Sequence, residues 1–183
     1  LVNPLPDQDM GLADPHLASL PAIYMAADYK WELHGHWSAI RIGGLAPELD
    51  AAFPEARHFG MLTASNPGYI ARSDAENRAA DLALQRELEQ LGLQHRPGFA
   101  IASNRAWKAY NWLVVDPDVA TFDSLGHRFG QIGTLLWSRG GPVRLRMRAE
   151  RPQTLAEDPA IDWIGDACRT ETIVARENLT STA

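Results

Sequence analysis

Apolar positions change period several times along this chain, and each change marks an element. Ala80, Leu84, Leu88 and Leu91 recur at helical spacing and fall on one stripe. Ser73 and Glu76 stand ahead of them as an S-x-x-E capping box, and Gly92 closes the run. Asn77 lies on the same stripe, one turn before Ala80. A second helix is predicted over residues 119–129, with Phe122, Leu125 and Phe129 inward and Gly130 ending it. A short one over 47–53 is bounded by Pro47 and Pro54.

Strands are predicted where apolar and aromatic residues alternate or cluster: 23–33, 37–42, 58–64, 99–103 and 110–115. A hairpin is expected from 133–138 and 142–148 across Arg139-Gly140-Gly141, with Val143, Leu145 and Met147 alternating with Arg144, Arg146 and Arg148. Pro4, Pro6, Pro15 and Pro21 make residues 1–20 read as an irregular arm. Residues 150–183 read as a polar C-terminal extension, with an amphipathic piece at 158–167 expected to dock as a helix and a tail (ENLTSTA) at the end. Strands and helices follow without regular βαβ winding. The expected fold is therefore α+β: a mixed β-sheet packed by two or three helices, one compact domain over residues 21–149.

Composition narrows the function classes. The 183 residues are 45% hydrophobic, enough for a core without metal or disulfide staples. Cys168 is the single cysteine, so no internal disulfide forms and a reducing, cytoplasmic setting is expected. No apolar run is long enough to cross a bilayer, so no membrane role is expected. The first residues (LVNPLPDQDMGLADPH) lack the basic and apolar regions of a signal peptide, although the chain opens on Leu and not Met. With 17 basic against 23 acidic residues the net charge is −6, which argues against a nucleic-acid partner.

The densest polar constellation is T-A-S-N-P-G at 63–68 followed by S-D-A-E-N at 73–77. A strand ends in a polar loop and a capped helix begins a few residues later. Such a place gathers backbone N–H groups and the positive end of a helix dipole. Thr63, Ser65, Asn66 and Asn77 add neutral hydrogen-bonding groups, which suits a small polar or anionic ligand. The same residues also make a sound turn and cap with no ligand at all.

Together with Trp107 and its strand to Val114, and L-G-H-R-F-G-Q at 125–131, these motifs resemble a bacterial family known as domain of unknown function 3293. The likeness runs over about residues 20–148. It implies grouping and a small cytoplasmic protein, and it brings no assigned reaction. It also implies an acidic residue two positions after the Trp, where this chain has Ala109. Asn111 and Gln131 are the polar residues in the matching segments, and amides do not titrate near neutral pH.

Other candidates are weaker. His34 and His36 begin a metal set that has no third ligand at telling spacing, so no metal and no cofactor are expected. His127 reads as a solvent-facing helix residue, and Cys168 sits in an acidic stretch that disfavours a thiolate. No G-x-S-x-G, P-loop or G-x-G-x-x-G occurs. The Arg144/Arg146/Arg148 stripe reads as a solvated face guarding an edge strand. The six Trp residues read as core or rim packing.

The leading reading is a ligand-binding domain whose site comprises Thr63, Ser65, Asn66, Asn77, Trp107, Asn111 and Gln131. Enzyme and pure binder are both compatible with this set. The rival is a protein-interaction module, a regulatory, antitoxin-like or immunity-like partner without catalysis.

Overall fold

A computed structural model describes residues 14–165. Cys168, the tail at 177–183 and the first 13 residues of the predicted arm lie outside the described residues.

The chain builds an eight-stranded sheet in the order β2-β1-β4-β5-β3-β6-β7-β8. The strands are β1 Asp28–Leu33, β2 His36–Ile40, β3 His58–Leu62, β4 His95–Ile101, β5 Lys108–Val115, β6 Gly133–Ser138, β7 Leu145–Met147 and β8 Ile161–Trp163. Neighbours are antiparallel except β7 and β8, which run parallel, so the sheet is mixed. Four α-helices pack on it: α1 Asp14–Ala26, α2 Pro47–Ala52, α3 Asp74–Gln90 and α4 Val119–Arg128. This is an α+β domain with one more helix than the upper expectation.

Strand alternation splits the core in two. Phe59, Met61, Leu113, Leu135 and Leu145 point to the side covered by α1 through Leu20 and by α2 through Leu49. Leu62, Val114 and Leu136 point to the side covered by α3 through Leu84 and Leu88 and by α4 through Phe122 and Leu125. Leu84 and Leu88 are wholly buried, as the helical stripe requires. Leu91 does not join them. It is the C-cap and is 46% exposed, and Gly92 follows at φ 66°. Gly60 lets α4 approach β3, because a Cβ there would lie 2.3 Å from the Phe122 ring.

Three sequence expectations are corrected. Residues 14–20 of the expected irregular arm and the first part of the strand expected from residue 23 give way to α1, and β1 starts only at Asp28. Pro21 sits inside that helix, which is held by tertiary packing of Leu17, Leu20, Ile23 and Tyr24 and not by propensity. The piece at 158–167 docks, but its described part forms β8, because the open side of β7 offers backbone partners there. The arginine stripe is not a solvated edge. Arg144 is bidentate on Asp162 of β8, and Arg146 is bidentate on Asp123 of α4. Arg148 joins Asp123, and Gly126 makes room for its guanidinium. Hydrogen bonding to Asp123 holds the Arg146 guanidinium above its ordinary pKa.

His34 and Gly35 turn out to be the two-residue turn of the β1–β2 hairpin, both at positive φ. Both histidines of H-G-H are exposed, and no group of three potential metal ligands comes together among the described residues. No helix among them is long and apolar enough to cross a membrane.

Candidate functional site

β3 ends at Leu62, and the next eleven residues cross the end of the sheet to reach α3. Asn66 and Tyr69 in this crossing hold left-handed backbone, at φ 48° and 63°. Such a conformation costs a residue with a side chain on the order of 1 kcal/mol, and Asn tolerates it best. Asn77 holds it in place. Its Oδ1 accepts from the Asn66 N–H at 2.9 Å, while its Nδ2 donates to Asn66 Oδ1 at 2.9 Å and to the Arg72 carbonyl at 3.4 Å. Asn66 Oδ1 also accepts the Arg72 N–H at 3.0 Å. The two asparagines thus face each other across the loop–helix junction and complete each other. That explains an amide on an apolar stripe.

A second clasp joins the loop to the turn after α4. The Gly68 N–H donates to the Gly130 carbonyl at 2.7 Å. Gln131 Nε2 donates to the Ser65 carbonyl at 3.2 Å and the Phe129 carbonyl at 3.0 Å. Gly130 is at φ 64°, and a Cβ there would come 2.7 Å from that of Pro67. The T-A-S-N-P-G segment therefore docks on the end of L-G-H-R-F-G-Q.

These clasps and the turns beside them use several of the donors that an anion would need. Ser65 N–H goes to Thr63 Oγ1, and the Tyr69 and Ile70 N–H groups go to carbonyls within the loop. The α3 terminus closes on itself. Ser73 Oγ accepts from the Glu76 N–H, and Glu76 Oε2 accepts from both the Ser73 hydroxyl and its N–H. Those hydrogen bonds, the hydroxyl's first, hold the Glu76 carboxyl below the usual carboxylate range.

Behind the loop lies a cavity of about 270 Å³. Its floor is the α1-facing side of the sheet. Ala100 of β4 and Ala109 of β5, directly opposite each other, put small side chains on that floor beside Tyr29 of β1. Ile23 and Tyr24 of α1, with Tyr29 of β1, form one wall, and Tyr69 and Trp107 also border it. Thr63, Ser65, Asn66, Trp107, Asn111 and Gln131 all line it. Asn77 does not, and no residue of α3 does. Thr63 is a strut, its hydroxyl donating to the Tyr110 carbonyl at 2.6 Å.

Sequence reading missed the wall and the floor. Tyr24 was assigned to a strand, and nothing distinguishes a floor alanine from any other. In the structure Gly133 makes room for that wall, because a Cβ there would lie 2.6 Å from the Tyr24 ring. Burial pushes the Tyr24 phenol up to about 12, partly offset by a Gly133 backbone hydrogen bond. Burial also raises Tyr29, whose hydroxyl donates to the Tyr24 carbonyl at 2.9 Å. Both stay neutral at physiological pH.

A family model described as Protein of unknown function (DUF3293) matches residues 62–133. The chain resembles that family. The matched segment is narrower than the span expected from the motifs, and it contains all seven of the residues proposed from sequence. No curated protein and no solved structure matches the chain. Ile23, Tyr24, Tyr29, Met61, Thr134 and Leu135 are cavity residues contributed from outside the matched segment. Ala109, where the resemblance implies an acid, lies on the cavity floor, so the lining among described residues holds no carboxylate.

Proposed function

We propose that this domain binds a small molecule in the cavity between α1, the sheet and the residue 63–71 loop. The observation that carries the reading is the pair of opposed alanines beneath a wall of aromatic rings: side-chain volume is missing where a strand pair normally fills it. The lining is mainly apolar, with a few fixed polar groups, as ligand sites are. The titratable side chains that face it are three tyrosines, which supports binding over acid–base turnover.

The test is native mass spectrometry of the protein purified from its own host, beside Ala109→Leu. We expect a small-molecule adduct on the wild type and none on the variant, which stays folded because the leucine fills existing space. A folded Ala109→Leu protein that keeps the adduct would overturn the reading.

A second reading, a protein-interaction module, draws on the open part of the opposite sheet face. Trp37 and Tyr110 are 45% and 57% exposed there, with Phe99 between them, its ring centroid 5.0 Å from that of Trp37. Loss of partner capture in Trp37→Ser, with the adduct retained, would favour it.

A further inference from the structure

Resting on the reading of the cavity as a ligand site, we propose that its ligand is a compact, neutral, mainly aromatic molecule that presents a hydrogen-bond donor to carboxamide oxygens of the protein. Asn111 and Gln131 are 7% and 6% exposed, and both line the cavity. Their amide orientations are fixed by what their nitrogens do. Asn111 Nδ2 donates to the Ala109 carbonyl at 3.0 Å, and Gln131 Nε2 donates to two carbonyls. Flipping either amide would set oxygen against oxygen. The oxygens are therefore the free ends, and neither Asn111 Oδ1 nor Gln131 Oε1 accepts a hydrogen bond among the described residues. Both residues border the cavity, so a donor placed there gives each oxygen the partner that the described protein groups do not.

The charge on the ligand follows from Lys108. Strand alternation sends its side chain to the face opposite Ala109 and Asn111. Its ammonium lies 4.4 Å from the Phe99 ring centroid and 5.5 Å from that of Tyr110. The N–H groups of Ser65, Asn66, Gly68, Tyr69 and Ile70 are already paired within the loop and its clasps. A carboxylate or phosphate would meet two carboxamide oxygens and no cation, whereas an N–H or O–H meets its complement. Tyr24, Tyr29 and Trp107 supply ring faces and edges for a planar body.

Indole and benzofuran separate these possibilities, because they share a shape and differ in N–H against ring oxygen. Their binding to the wild-type chain is measured by calorimetric titration and saturation-transfer NMR. We expect indole to bind about fivefold tighter, the size of one neutral hydrogen bond. In Asn111→Leu the preference should fall to about one, with benzofuran still bound. Equal binding of the two probes to the wild type overturns this inference and leaves the cavity reading standing. Binding of neither, up to their solubility, also overturns this inference, and the native mass spectra of wild type and Ala109→Leu then decide the cavity reading alone. A preference that survives in a folded Asn111→Leu protein removes Asn111 as the acceptor. Should that variant not fold, the wild-type comparison decides alone.

Discussion

Asn77→Ala tests the clasp that sets the cavity's outer loop. The side chain makes three hydrogen bonds, two at 2.9 Å and one at 3.4 Å, all to Asn66 or Arg72. Each contributes about 0.5–1.5 kcal/mol net, and water reaches these half-open groups once the side chain is gone, so the lower half of that range applies. Alanine returns about half a kcal/mol through helix propensity. The left-handed backbone at Asn66 then has one fewer restraint. The net loss expected is about 1–2 kcal/mol, which at a urea dependence of about 2 kcal/mol per molar moves the midpoint by roughly 0.5–1 M. Hydrogen exchange should quicken at the Asn66 N–H, which loses its acceptor, and at the Arg72 N–H, whose acceptor Asn66 is released. An unchanged midpoint with unchanged exchange at both amides would refute the clasp.

Two further outcomes are expected. Gly60→Ala should destabilise by about 1–3 kcal/mol, because the new Cβ would lie 2.3 Å from the ring of fully buried Phe122, and a thermal melt matching the parent would show that α4 shifts freely. Asp116 is held below the usual carboxylate range by hydrogen bonding from the Arg57 N–H first, then by the Arg57 charge and the His58 N–H. Its folded pKa is depressed, so its contribution is full above the unfolded carboxylate value and disappears as pH falls through the folded one. Asp116→Asn, which keeps an acceptor for the Arg57 N–H, should therefore cost stability at neutral pH and converge with the parent on acidification; an equal deficit at all pH values would assign the effect to geometry instead.

The elements that sequence pattern revealed were those whose local signals and tertiary packing agree. α3 carries a capping box, a stripe and a glycine stop, and all three appear in place apart from the final leucine. The β6–β7 pairing was legible because two glycines mark its turn and the alternation beyond them is strict. α1 was not legible, because Pro21 and the β-prone Ile23 and Tyr24 argue locally for something else, and only contact with the sheet overrides them. The arginine stripe was legible as a stripe but not as ion-paired, since its acidic partners lie 18 to 25 positions away in sequence. At the site, the loop and the two amides were legible as polar residues in apolar surroundings. The cavity itself was not, because it is made by the absence of side-chain volume at Ala100 and Ala109, and sequence pattern records only what is present.

The segment that resembles DUF3293 has a physical boundary that explains why the cavity needs more than that segment. It starts where β3 ends and finishes where β6 begins, and these two strands are neighbours with Met61 opposite Leu135. The segment thus leaves the sheet and returns beside its starting point, carrying α3, β4, β5 and α4 with it. Its two ends are tied by the Gly68–Gly130 and Gln131–Ser65 hydrogen bonds, which close the loop over the sheet end. What it provides is the rim, half of the floor and the two carboxamides. The wall comes from α1, and Tyr24 can stand there only because the segment's last residue is Gly133. The glycine and the tyrosine are therefore one device: the segment carries the two carboxamides, and α1 sets the shape of the space in front of them.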